Sequence, residues 1–116
     1  MAILKQSNEV VVRENMKGGS GKVSFYYVPI PDDEGAVKMA SRIELEPGAS
    51  IGFHQHVDDE EVYAILSGRG IFTDGTTEVE ANPGDVFLTR KGESHSIKNN
   101  SDVPLIFFAV IAKKQQ

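Results

Sequence analysis

The chain has 116 residues, 40% hydrophobic and 25% charged, with 12 basic and 17 acidic side chains and a net charge of -5. That is the length of one globular domain over residues 1–116, and it offers nucleic acid or an anionic membrane no basic patch: the adjacent bases are Arg90-Lys91 and Lys113-Lys114. With no cysteine, disulfides, thiolate nucleophiles and Cys-ligated metal are excluded; with no apolar leader at the N-terminus and no run near the ~20 residues of a membrane span, the expected location is the cytoplasm.

Short β-prone runs alternate with Gly- and Pro-centred turns along the whole sequence. Residues 9–13 (EVVVR) read as a first strand, 17–21 (KGGSG) as a flexible loop, and 22–28 as a second strand ended by the turn at 29–33. Residues 37–46 stop at Pro47-Gly48, a turn signal. Strands over 50–56 and 61–66 follow, the second ended by Ser67-Gly68. Residues 69–73 and 78–80 flank Asp74-Gly75, a hairpin signal. Beyond the turn at 82–85 come strands at 86–89, 94–99 and 105–112. No longer segment carries a helical period, so about ten short strands imply an all-β sandwich or closed barrel. The last strand is apolar at both alternating sets of positions, so both its faces need cover. A homodimer, or the N-terminal segment on the outside, would supply it.

The three histidines carry the chemistry. His54 and His56 are two apart and share one strand face. Glu61 follows after a turn-length gap, and an antiparallel return brings it back beside the pair. His95 lies 39 residues beyond His56 and also begins a strand. A lone strand histidine is ordinarily a surface or hydrogen-bonded residue, but three at this spacing argue together. Three imidazoles and one carboxylate form a mixed N/O set that suits Mn, Fe, Co, Ni, Cu or Zn and leaves coordination positions open.

These residues resemble the two motifs of the cupin family. The first reads here Gly48-ASIGF-His54-Gln-His56-VDDE-Glu61-VYAILS-Gly68. The second reads Gly84-DVFLT-Arg90-Lys-Gly92-ES-His95-SIK-Asn99, with Arg90 where the family carries proline. The spacer of 15 residues between Gly68 and Gly84 matches compact single-cupin proteins. The resemblance implies a double-stranded β-helix, or jelly-roll, barrel. It also implies one divalent transition metal (Mn, Fe, Ni or Zn) on His54, His56, Glu61 and His95. It selects Glu61 over Glu60, and alternation agrees, since Glu61, Tyr63 and Ile65 share one face. A buried carboxylate among imidazoles needs a cation.

The phrases EEVYAILSG and GESHSI look like the small cupins called oxalate-decarboxylase-like, which implies manganese or another first-row ion and a small carboxylic acid ligand. Authentic oxalate decarboxylases carry an arginine three residues before the first histidine, where this chain has Ile51. An iron-dependent dioxygenase and a non-catalytic binding or sensing protein are the alternative readings, so any enzyme activity would be that of a metal-dependent lyase or dioxygenase.

Around the site the expectations are as follows. The pocket is mostly apolar, with Phe53 and Gln55 facing away and Phe72, Phe87, Phe107 and Phe108 as candidate walls. Tyr63 is a candidate catalytic proton or hydrogen-bond donor. Arg42 and Arg69 are candidate substrate anchors, because guanidinium groups bind carboxylates bidentately. Gly48, Gly68, Gly84 and Gly92 are turn architecture, Asn99 bonds a nearby turn, and Ser94 is a strand residue rather than a nucleophile.

Overall fold

The computed structural model describes residues 3–5, 9–31 and 34–113. The N-terminal leader reading and the 29–33 turn therefore fall partly outside it, and Lys114 wholly so. The alternating runs form ten strands: β1 (Val11–Glu14), β2 (Lys22–Tyr27), β3 (Val37–Leu45), β4 (Ser50–Gln55), β5 (Asp59–Ser67), β6 (Gly70–Thr73), β7 (Glu78–Ala81), β8 (Val86–Thr89), β9 (Ser94–Lys98) and β10 (Leu105–Lys113). They pair antiparallel in two sheets, ordered β1-β2-β3-β10-β5-β8 and β4-β9-β6-β7. The result is a jelly-roll barrel.

Strand alternation places the core between the sheets. Val23, Phe25, Ile43, Leu45, Tyr63, Ile65, Leu105, Phe107 and Ala109 face inward from the larger sheet. Ile51, Phe72, Ala81 and Ile97 meet them from the smaller one. Each large apolar side chain buried this way contributes about 1.5–3 kcal/mol.

Two departures from the sequence reading bear on the site. The glycine-rich segment expected to be a flexible loop is instead packed wall. Met16–Gly18 form a 3₁₀ turn whose backbone lies against β4. Gly19 and Gly52 permit that approach, because a Cβ on either would collide with the other segment's backbone: Ser50 O for Gly19, Lys17 O for Gly52. The β4–β9 register also shifts between Ile51 and His54. This bulge changes strand parity, so Ile51 enters the core while His54 and His56 still point inward and Phe53 points out, 54% exposed.

The outer face of the larger sheet is apolar. In register across it stand Val62 beside Leu88, Ala64 beside Val86, and Phe108 and Val110 on β10. Phe108 therefore belongs to this outer face and is not a wall of the site. Arg42 is on the same outer face, between Tyr26 and Phe108, with its guanidinium 4.2 Å from the Tyr26 ring centre.

Candidate metal centre

His54 near the end of β4 pairs directly with His95 on β9. β5 returns antiparallel along β10 and β8, which brings Glu61 inward beside Thr89. His56 sits just past β4, where the turn before β9 clamps its backbone: Gly92 N–H donates to His56 O at 2.6 Å, and His56 N–H donates to Glu93 O at 3.0 Å. That turn is the one in which Arg90 replaces the family's proline. The backbone N–H that proline would lack is used, donating to the Glu93 carboxylate at 2.7 Å.

Four donor atoms converge. His56 Nε2 and His95 Nε2 are 3.1 Å apart, and His95 Nε2 and His54 Nε2 are 3.2 Å apart. Glu61 Oε1 lies 3.0 Å from His56 Nε2 and 3.2 Å from His95 Nε2. Two donors each ~2.1 Å from a common ion and at right angles to one another are ~3.0 Å apart. The cluster therefore has the span of neighbouring ligands on one ion, and all four donors fit within 4.8 Å of one another.

The outward nitrogens fix which atoms face the centre. His54 Nδ1 donates to Gly52 O at 2.7 Å, since a carbonyl can only accept. His56 Nδ1 donates to the Asp59 carboxylate at 2.7 Å. His95 Nδ1 is 2.7 Å from Thr89 Oγ1. With Nδ1 donating outward on His54 and His56, a neutral ring there turns its Nε2 lone pair inward, and His95 Nε2 is turned to the same spot; a protonated His56 or His95 donates from Nε2 to Glu61 instead. These partners orient the ring and raise its basicity as supports of metal-binding histidines do. Asp59 is held in turn by Lys38 Nζ at 3.0 Å. His95, Glu61 and His56 are buried, at 1%, 5% and 7% exposure, so the charge gathered here is largely shielded from water.

The titrations respond to this crowding. Burial pushes the Glu61 carboxyl up, but the hydrogen bonds from His56 and His95 outweigh it and hold the group below its ordinary value. His56 is raised, by its hydrogen bond to Glu61 against the opposing effect of burial. His54 is lowered, chiefly by burial and then by the neighbouring imidazoles. Burial, helped by the charge of Glu61 and a hydrogen bond to it, pushes the Tyr63 phenol well above 10.0.

The structure brings together the four residues read as metal ligands. Tyr63 is close by and buried, with its ring 4.9 Å from that of His95, and it lines the same cavity as His54, His56 and Glu61. Arg42 and Arg69 are not brought to the site. Arg42 faces outward as described, and Arg69 lies past the far end of β5, ~26 Å of extended chain from Glu61. Phe72 stacks on Phe87 at 4.1 Å and meets His95 edge-on at 5.7 Å, so these rings back the site from one side. Phe107 lies deeper, against Tyr63.

The cavity over the cluster is apolar in depth but not at its rim. Ile43, Ile51, Phe25, Tyr27 and Met39 line it, and Arg13, Lys17, Lys38 and Asp58 reach it as well. The mostly apolar pocket expected from the sequence is thus correct for the floor only. Asp59 and Thr89 were missed as orienting partners. A carboxylate three residues after His56 was the available signal for the first; nothing local marked the second.

The Cupin domain family model matches residues 41–111. The chain is a cupin. Its sequence is 36% identical over 118 residues to the oxalate-binding protein of Thermotoga maritima, covering 93% of this chain and 98% of that one. The barrel superposes with a TM-score of 0.89 on the crystal structure of a predicted oxalate decarboxylase from the same organism, at 34% identity, over 97% of this cupin and 100% of the other. The cupin domain of Schizosaccharomyces pombe Cnp3, at 19% identity and TM-score 0.72 over 91% of this chain and 70% of that one, shares the fold.

Proposed function

We propose that this cupin holds one divalent first-row transition metal, manganese foremost, on His54, His56, Glu61 and His95, and that the open coordination positions bind a small carboxylic acid such as oxalate. The observation that carries the reading is the convergence of three Nε2 atoms and one carboxylate oxygen at 3.0–3.2 Å with every outward imidazole nitrogen already committed. Without a cation, those inward lone pairs face one another and a buried carboxylate. When bound, the ion supplies Lewis-acid positions for a chelating acid. The donor set of three nitrogens and one oxygen suits first-row divalent metals as a class; manganese is put first on the resemblance to the oxalate-decarboxylase-like cupins, and the ligand class is supported by the oxalate-binding relative.

Titration calorimetry tests this directly. Oxalate should bind the manganese-loaded protein and release no heat of binding with the chelator-stripped protein. Equal binding in both states contradicts the reading.

The same reading includes a homodimer built on the outer face of the larger sheet. Leu66, Val86 and Leu88 are exposed there beside half-buried Val62, Phe108 and Val110. Arg42 Nε is buried on this face with no partner among the described residues, and Glu44 lies two residues along the same strand face. A two-fold dimer on this face would let Arg42 of one copy pair with Glu44 of the other. Sedimentation equilibrium should return twice the chain mass; a monomer at micromolar concentration contradicts this part alone.

A further inference from the structure

The cavity over the ligands has a second wall that the metal chemistry does not use. The cavity, open to solvent on one side, measures about 940 Å³. At ~30 Å³ for each water-sized group, an acid of six non-hydrogen atoms, such as oxalate, fills about a fifth of it. Cavities of ~300–1,000 Å³ ordinarily take larger ligands. The volume therefore points to a longer occupant.

The wall in question is built from β1 and the turn that follows it. β1 pairs with β2 so that Arg13 falls opposite Val23 and shares its inward face. The Arg13 guanidinium lies 5.7 Å from the centre of the Phe25 ring, and Phe25 stacks on Tyr27 at 5.4 Å. Both rings line the cavity that His54 and His56 also line. Among the described residues no carboxylate pairs with Arg13, whereas Lys38, another base of this cavity, is held by Asp59 at 3.0 Å. Arg13 is thus an exposed cation on the cavity lining, with an aromatic ring beside it and no carboxylate partner among the described residues.

The turn beside it is strained. Asn15 and Lys17 take left-handed backbone, φ 51 and φ 55, which L residues other than glycine rarely adopt. The close approach to Gly52 of β4, two residues before His54, holds the turn in place. Lys17 thereby joins Arg13 on the lining. Unfavourable backbone kept on a cavity wall is an observation from which function is properly inferred. Glu14 and Asp58 reach the same rim, so the wall favours an anion placed at Arg13 rather than negative charge in general.

We infer that Arg13, with Lys17, forms a distal anion subsite, and that the ligand is a 2-oxo or 2-hydroxy dicarboxylic acid longer than oxalate. Its head chelates the metal, its chain lies along Phe25, Tyr27 and Met39, and its far carboxylate meets the Arg13 guanidinium. This rests on the metal–carboxylate reading above. It also supplies the arginine anchor that is missing at Ile51, from a different strand.

The test is calorimetry on the manganese-loaded full-length chain with three probes: oxalate, 2-oxopentanedioate, and the matched monoacid 2-oxopentanoate. The diacid should bind about tenfold or more tighter than the monoacid, the scale of one bidentate charge-assisted contact. Arg13→Gln should bring the two acids to within about twofold of each other while metal content stays at the wild-type level, and Arg13→Lys should keep part of the difference. Equal affinity for diacid and monoacid in the wild-type protein overturns the subsite. So does a preference that survives both Arg13→Gln and the Arg13→Gln/Lys17→Gln double variant. Failure of oxalate itself to bind brings down the metal–carboxylate reading and this inference with it; oxalate binding without discrimination overturns the distal subsite alone.

Discussion

Strand β9 begins at one buried polar cluster and ends at another, and the two are built on opposite principles. His95, near its start, meets two other imidazoles and a carboxylate whose inward atoms have only one another to bond. Asn99, just past its end, is equally buried but fully paired. Its amide donates to Leu45 O at 3.0 Å and Val103 O at 2.8 Å, and its carbonyl accepts from Ser101 N–H at 3.0 Å and Ser101 Oγ at 2.8 Å. Both residues face inward with Ile97 between them. A buried polar group with every partner present is architecture; a buried group whose partners converge on one another is a place for something else. One end of the barrel is finished by the chain alone; the other gathers four donor atoms that could hold an ion.

The largest test of that contrast is at the finished end. Asn99→Ala removes the amide donor to the buried Leu45 O and one of the two donors to Val103 O, and leaves Ser101 without its acceptor; it should cost about 3 kcal/mol, lowering the thermal midpoint by ~10 °C, with metal content unchanged. A loss of metal without a loss of stability would reverse the assignment of the two ends.

The next effect is at the metal end but one step out. Asp59→Ala removes the acceptor of His56 Nδ1 and frees Lys38. Metal affinity should fall about 10- to 100-fold with the fold retained. A competition assay with a fluorescent chelator measures it, and an unchanged affinity would show that Asp59 does not orient His56.

The smallest is a pH effect on the metal-free and metal-loaded states. His56 is raised by its hydrogen bond to Glu61, with Asp59 adding to it against burial. In the metal-free protein this stability is fully present below 6.5, the unfolded value, and is lost as pH rises through the folded one. The metal displaces that proton, so acid favours the proton and base favours the ion. The rise in thermal midpoint on adding manganese should therefore grow from about pH 6 to about pH 8. A gain that is flat or shrinks over that range contradicts the sign.

Much of this was legible in the sequence because the side-chain period of a strand is two. All ten strands were readable from runs and turns, with ends displaced by two residues at most. The same parity put Glu61, Tyr63 and Ile65 on one face and His54 with His56 on another. Parity also held information that residue type obscured: Ile43 and Leu45 face inward, so Arg42, next to Ile43, must face out, whatever a guanidinium might bind. The glycine-rich segment misled for the opposite reason. Glycine signals freedom in a bare sequence, but Gly19 and Gly52 serve here to let two backbones touch. Thr89 was invisible because its contact with His95 crosses between the two sheets, from β8 to β9. Arg13 was invisible as a cavity residue because the edge strand that carries it gains an inside only when β2 pairs with it.

The most direct test is elemental analysis of protein purified without added metal, for the wild-type chain beside His95→Ala. The account predicts about one first-row divalent ion per chain in the wild type and close to none in the variant, whose apolar core keeps the barrel folded by circular dichroism. Full occupancy in His95→Ala, or a wild-type protein that takes up no divalent ion even when loaded with manganese, would contradict it.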